Sequence, residues 1–63
     1  MTHSEQMMAA IQNEDLVQAQ IELNEAIKTD DSETLIELGE VLLSIGFLEE
    51  ATSVYETLIK RLP

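Results

Sequence analysis

The chain has 63 residues, no cysteine and one histidine, so it holds at most one small domain without a disulfide staple, a thiolate metal site or a histidine metal cluster. Thirteen acidic residues against three basic ones give a net charge of −10, which repels phosphate backbones and anionic membrane surfaces and argues against both as partners. The opening residues MTHSEQMMAA lack a basic n-region and a long apolar core, and no apolar run could span a bilayer; together with the absence of cysteine this predicts a cytoplasmic protein.

The first 38 residues contain neither Gly nor Pro, so polar clusters must punctuate them: QNED at Gln12–Asp15 and KTDDSE at Lys28–Glu33. A third break, IGFL at Ile45–Leu48, leaves four helical segments. The first is expected over Ser4–Gln12, opened by a Thr2/Glu5 capping box and marked by Met7, Met8 and Ile11. Its weak apolar content predicts fraying. The second is expected over Glu14–Thr29, with Asn13 as N-cap, Glu14 and Asp15 in the first turn, and Leu16, Ala19, Leu23, Ala26 and Ile27 at helical spacing.

The third segment is expected over Ser32–Ile45. Leu35, Leu38, Leu42 and Ile45 form one stripe, Ile36 and Leu43 a second, and Gly46 is the stop. The fourth is expected over Leu48–Leu62. Ala51, Val54, Tyr55, Leu58 and Ile59 follow the amphipathic pattern, Glu49 and Glu50 open it, and Lys60, Arg61 and Pro63 close it. No strand-period segment competes. The expected fold class is all-α: four short antiparallel helices joined by tight turns.

The chain also reads as a repeat. Met7, Met8 and Ile11 fall on Leu38, Gly39 and Leu42 at an offset of 31, and Ala19, Leu23, Ala26 and Asp31 fall on Ala51, Tyr55, Leu58 and Pro63 at 32. That predicts two helix–turn–helix units, residues 1–31 and 32–63, with one residue lost in the first turn. Leu35, Leu38-Gly39, Leu42, Ala51, Tyr55 and Pro63 stand at the motif places of a tetratricopeptide repeat (TPR), which the second unit resembles. Leu35 replaces the usual Trp and Leu42 the usual Tyr. The first unit is a degenerate match, with Met8 at the Gly place and Asp31 at the Pro place.

The resemblance implies an α-α superhelix in which Gly39 and Ala51 let two helices cross closely. It also implies a non-catalytic protein-interaction scaffold, part of a longer repeat protein, whose groove is lined by the first helix of each pair. On that helix Glu33, Glu37 and Glu40 share a face with Ile36, Leu43 and Ser44 beside them. There is no Lys, Arg or Asn to grip an acidic tail, so a basic or amphipathic protein segment is the expected partner. An ordinary solvated acidic face is the alternative. Val54, Leu58, Ile59 and Leu62 are the expected open surface, for a following repeat or for a homodimer through the last helix. An acidic self-association element or a small chaperone for a basic or apolar client are the other readings. No cofactor, metal site or catalytic group is expected: Asp30, Asp31 and Glu33 lack the spacing of a calcium loop, and His3, Ser4 and Glu5 are chain neighbours that cannot converge on a substrate.

Overall fold

The computed structural model describes residues 1–63 and is all-α. The helices are α1 (His3–Gln12), α2 (Leu16–Thr29), α3 (Ser32–Ser44) and α4 (Leu48–Arg61). They pack as two pairs, α1 on α2 and α3 on α4. The chain divides into two compact units, Met1–Asp30 and Asp31–Pro63. Asp31 belongs with the second because it is the N-cap of α3: its carboxylate accepts the Thr34 N–H at 2.8 Å. No helix is long and apolar enough to cross a membrane.

In the first unit, Thr2 and Glu5 form the expected capping box. The Glu5 N–H donates to the Thr2 hydroxyl at 3.1 Å, and the Thr2 N–H donates to the Glu5 carboxylate at 2.8 Å. A second residue caps the same helix from outside it. Asp30, just beyond the end of α2, accepts from the Ser4 N–H at 2.9 Å and from the Ser4 hydroxyl at 2.6 Å. The core is small: Ser4, Met7 and Ala10 from α1 against Ala19, Leu23 and Ala26 from α2.

The start of α2 differs from expectation. Asn13 closes α1 instead of capping α2, and Glu14 precedes the helix at φ 59°. Asp15 is the N-cap, accepting from the Gln18 N–H at 3.1 Å. The reason lies in the turn. The Asp15 N–H donates to the Ala10 carbonyl at 2.9 Å and the Glu14 N–H to the Ile11 carbonyl at 3.0 Å, which is the Schellman pattern that terminates a helix. That pattern requires one left-handed residue, and Glu14 is the residue at that place.

The second unit turns the same way. Gly46 has φ 87° and donates to the Leu43 carbonyl at 3.2 Å, while the Phe47 N–H donates to the Leu42 carbonyl at 2.8 Å. Glu14 and Gly46 are therefore structural equivalents, 32 positions apart, and no residue is lost in the first turn. The offset of 32 holds back through the first helix of each unit, so Met7, not Met8, stands where Gly39 stands. What α1 lacks is length at its start: it has 10 residues where α3 has 13.

Leu35, Leu38, Gly39 and Leu42 of α3 and Ala51 and Val54 of α4 form the core of the second unit. Ile45 is not the fourth member of the α3 stripe; it is the exposed C-cap, beyond the last helical residue. Val54 is no part of an open surface. It is fully buried, because its place on α4 faces α3. Gly39 and Ala51 are both buried between the two helices, and the atoms nearest Gly39 are those of Tyr55. A Cβ on Gly39 would lie 2.9 Å from Tyr55 Cζ and 3.1 Å from its hydroxyl, so the glycine makes room for the tyrosine ring. The propensity cost of about 1 kcal/mol for Gly in a helix is offset by the packing of that ring.

Candidate functional site

Apart from the buried Val54, the expected site residues lie on two surfaces of the second unit. The first is the outer face of α3. Glu33, Ile36, Glu37, Glu40, Leu43 and Ser44 are all exposed. Ile36 lies between Glu33 and Glu40 on the helix surface, three residues after one and four before the other. Glu33, Glu37 and Glu40 take part in neither the His3–Glu22 pair at 2.7 Å nor the Lys28–Glu25 pair at 3.7 Å. Leu43 sits seven residues along from Ile36 on the same stripe, about 10 Å away at 1.5 Å per residue. The Ser44 hydroxyl donates to the Val41 carbonyl at 2.7 Å, which uses its proton locally.

The second surface is a groove of about 340 Å³ between the start of α3 and the end of α4. Ile36, Tyr55, Leu58, Ile59 and Leu62 give it apolar walls, and Ser32 and Arg61 complete the lining. Ile59 and Leu62 are 65% and 69% exposed, Ile36 is 47% exposed, and Leu58 is half-buried. An Arg61 Nη1–H donates to the Ser32 hydroxyl at 3.3 Å, tying the last turn of α4 to the first turn of α3.

Ile36 therefore belongs to both surfaces, and the groove joins it to three of the four residues expected to form the open face of α4. Tyr55, Ser32 and Arg61 are the lining residues that sequence reasoning missed. Tyr55 stands at a motif place that points to the core, yet it is half-buried: its ring lies against Gly39 and also lines the groove. Ser32 and Arg61 carry no apolar signal, and only the folding back of α4 brings them together.

The first unit contains a different arrangement, a polar seam between α1 and α2. The Glu22 carboxylate accepts from His3 Nδ1–H at 2.7 Å and from the Gln18 amide at 2.9 Å. The Gln6 amide, turned with its nitrogen toward the carboxylate, donates to it at 2.7 Å. The hydrogen bond to Glu22 holds the His3 imidazole above its ordinary pKa, and the same bond holds Glu22 below the usual carboxylate range. The Thr2 N–H likewise lowers Glu5, and the bonds from Thr34 lower Asp31. No three His, Asp or Glu side chains converge as a metal-ligand set.

The chain matches no protein-family model, no curated protein and no solved structure, so its function is read from these residues alone.

Proposed function

We propose that this chain is a non-catalytic, TPR-like protein-interaction module whose α3 face receives a basic or amphipathic protein segment. The observation that carries the reading is the set of exposed carboxylates of Glu33, Glu37 and Glu40, outside the His3–Glu22 and Lys28–Glu25 pairs and beside the exposed Ile36 and Leu43. Cationic side chains on a partner would complement the acids, and the apolar residues between them would supply contact area. A chain with net charge −10 adds a long-range attraction for basic partners. The TPR-like part of the reading draws support from two helical hairpins with the same turn geometry 32 residues apart.

The test is a charge reversal on the face, Glu37→Lys with Glu40→Lys. It should abolish capture of a Lys-rich amphipathic peptide and leave the helical circular dichroism signal unchanged, because neither residue is buried. Capture that survives the double change sinks the assignment. A second reading, self-association through α4, is favoured by the exposure of Ile59 and Leu62. It requires a helix signal that grows with protein concentration and is lost on Leu58→Glu.

A further inference from the structure

The groove of the second unit has a counterpart in the first, and the two are finished in opposite ways. At the offset of 32, Ser4 corresponds to Ile36 and Asp30 to Leu62. In the first unit that pair is a closed polar latch: Ser4 is buried, and its N–H and hydroxyl both bond to Asp30. In the second unit the same pair forms two apolar walls of the open groove. The extra turn of α3, three residues longer than α1, adds Ser32 to the lining and sets Glu33 one turn before Ile36. An open apolar groove is therefore not a by-product of pairing two such helices, since the same chain shows the hairpin closed.

We infer that the groove between the start of α3 and the end of α4 docks an amphipathic helix of a partner protein, with its apolar face on Ile36, Leu58, Ile59 and Leu62 and its Lys or Arg flank over Glu33, Glu37 and Glu40. The inference rests on the α3-face reading above and names the form of its partner. A helix is the element whose i, i+3, i+4 side chains fill a two-helix groove. Charge complementarity selects the flank: α3 offers three exposed carboxylates, and α4 adds an exposed Glu56 one turn before Ile59. The same charge argues against a second copy of the chain as occupant, since each copy brings −10 to the interface.

The probe is a synthetic peptide of about 18 residues, five turns at 3.6 residues per turn, with leucines on one face and lysines on the flanks. Its control is a scrambled isomer of identical composition. Binding to the full chain is measured by calorimetry and by amide shifts. The patterned peptide should bind about tenfold or more tightly than the scrambled one, the size of one well-packed anchor, and its shifts should centre on α3 and α4. Ile36→Ser with Leu62→Asp, which copies the latch into the groove, should cost a similar factor at unchanged helicity. Ile59→Asp, at a more exposed position, provides the same reading should the double variant lose helicity.

Equal binding of both peptides, unaffected by either groove variant but lost on Glu37→Lys with Glu40→Lys, would overturn the groove and leave the acidic face standing. Binding of neither peptide would overturn both. A dimer seen by sedimentation and dissolved by Ile59→Asp would make a second copy the occupant and overturn the inference.

Discussion

The two hairpins share a turn and differ in what lies between their helices. Both first helices end in the same bonded turn with one left-handed residue, Glu14 in one and Gly46 in the other. Both second helices bury an alanine at the same place, Ala19 and Ala51. At three further equivalent places the second hairpin has Leu35, Leu38 and Val54, all buried, and the first has His3, Gln6 and Glu22, joined by hydrogen bonds. One architecture thus accommodates an apolar seam or a hydrogen-bonded polar one. No buried side-chain nitrogen or oxygen lacks a partner.

The sharpest way to break this comparison is to move one residue of the polar seam into the apolar one. Val54→Glu should destabilise the α3–α4 pair by about 3–5 kcal/mol, because it buries a carboxylate without the donors Glu22 has. Hydrogen exchange should show the amides of α3 and α4 losing protection first. Protection that persists would mean the seams are interchangeable residue by residue.

The Gly39–Tyr55 contact comes next. The first hairpin fills the equivalent places with Met7 and Leu23, moving bulk from the second helix to the first. Gly39→Ala should destabilise by about 1 kcal/mol, the net of an overpacking cost against a propensity gain. In a Tyr55→Leu background the same change should stabilise by about 1 kcal/mol, the propensity gain alone. A double-mutant cycle in urea reads the difference, and no change of sign between backgrounds would separate Gly39 from the ring.

The turns offer a smaller effect. Glu14→Gly should stabilise the first hairpin by up to about 1 kcal/mol, since glycine adopts positive φ without the steric penalty. Gly46→Ala should destabilise the second by about the same amount, although nothing lies within 4 Å of the added methyl, because the strain is in the backbone. Denaturant midpoints check both.

The smallest expected effect is pH dependence, since the His3–Glu22 pair is partly exposed and screened by salt. His3 titrates above its ordinary 6.5, so its contribution is complete below that value and lost as pH rises through the folded value. Glu22 titrates below its ordinary 4.5, so its contribution is complete above that value and lost as pH falls through the folded value. Asp30 and Glu25 add to the field that keeps His3 charged. The first hairpin should therefore be most stable between those limits and weaken on both sides. The second, with Asp31 as its shifted group, should weaken only in acid. Amide protection of α1 and α3 against pH separates the two profiles. His3→Leu with Gln6→Leu and Glu22→Val, which rebuilds the apolar seam in the first hairpin, should remove its alkaline arm.

Much of the architecture was legible because it is local. The Thr2–Glu5 box, the four helical segments, the stop at Gly46 and most buried positions follow from capping chemistry and the 3.6-residue period. The start of α2 was misread because Asn13, Glu14 and Asp15 are all good capping or first-turn residues, and only the closing bonds of α1 decide among them. The apolar pattern of α4 does not separate Val54, which is buried against α3, from Ile59, which is exposed, because both lie on one broad apolar stripe. The α3 face could be named from spacing. The groove could not, since Ser32 and Arg61 are far apart in the chain and polar.

By itself, then, the sequence determined the helices, the turn at Gly46 and the acidic character of α3, all set by residues within a few positions of one another. Tertiary structure alone decided that Gly39 answers to Tyr55, that His3, Gln6 and Glu22 complete one another, and that Ser4–Asp30 closes where Ile36–Leu62 stays open. Each depends on side chains brought together only when a second helix folds back on the first, and a local pattern carries no record of which partner that helix presents.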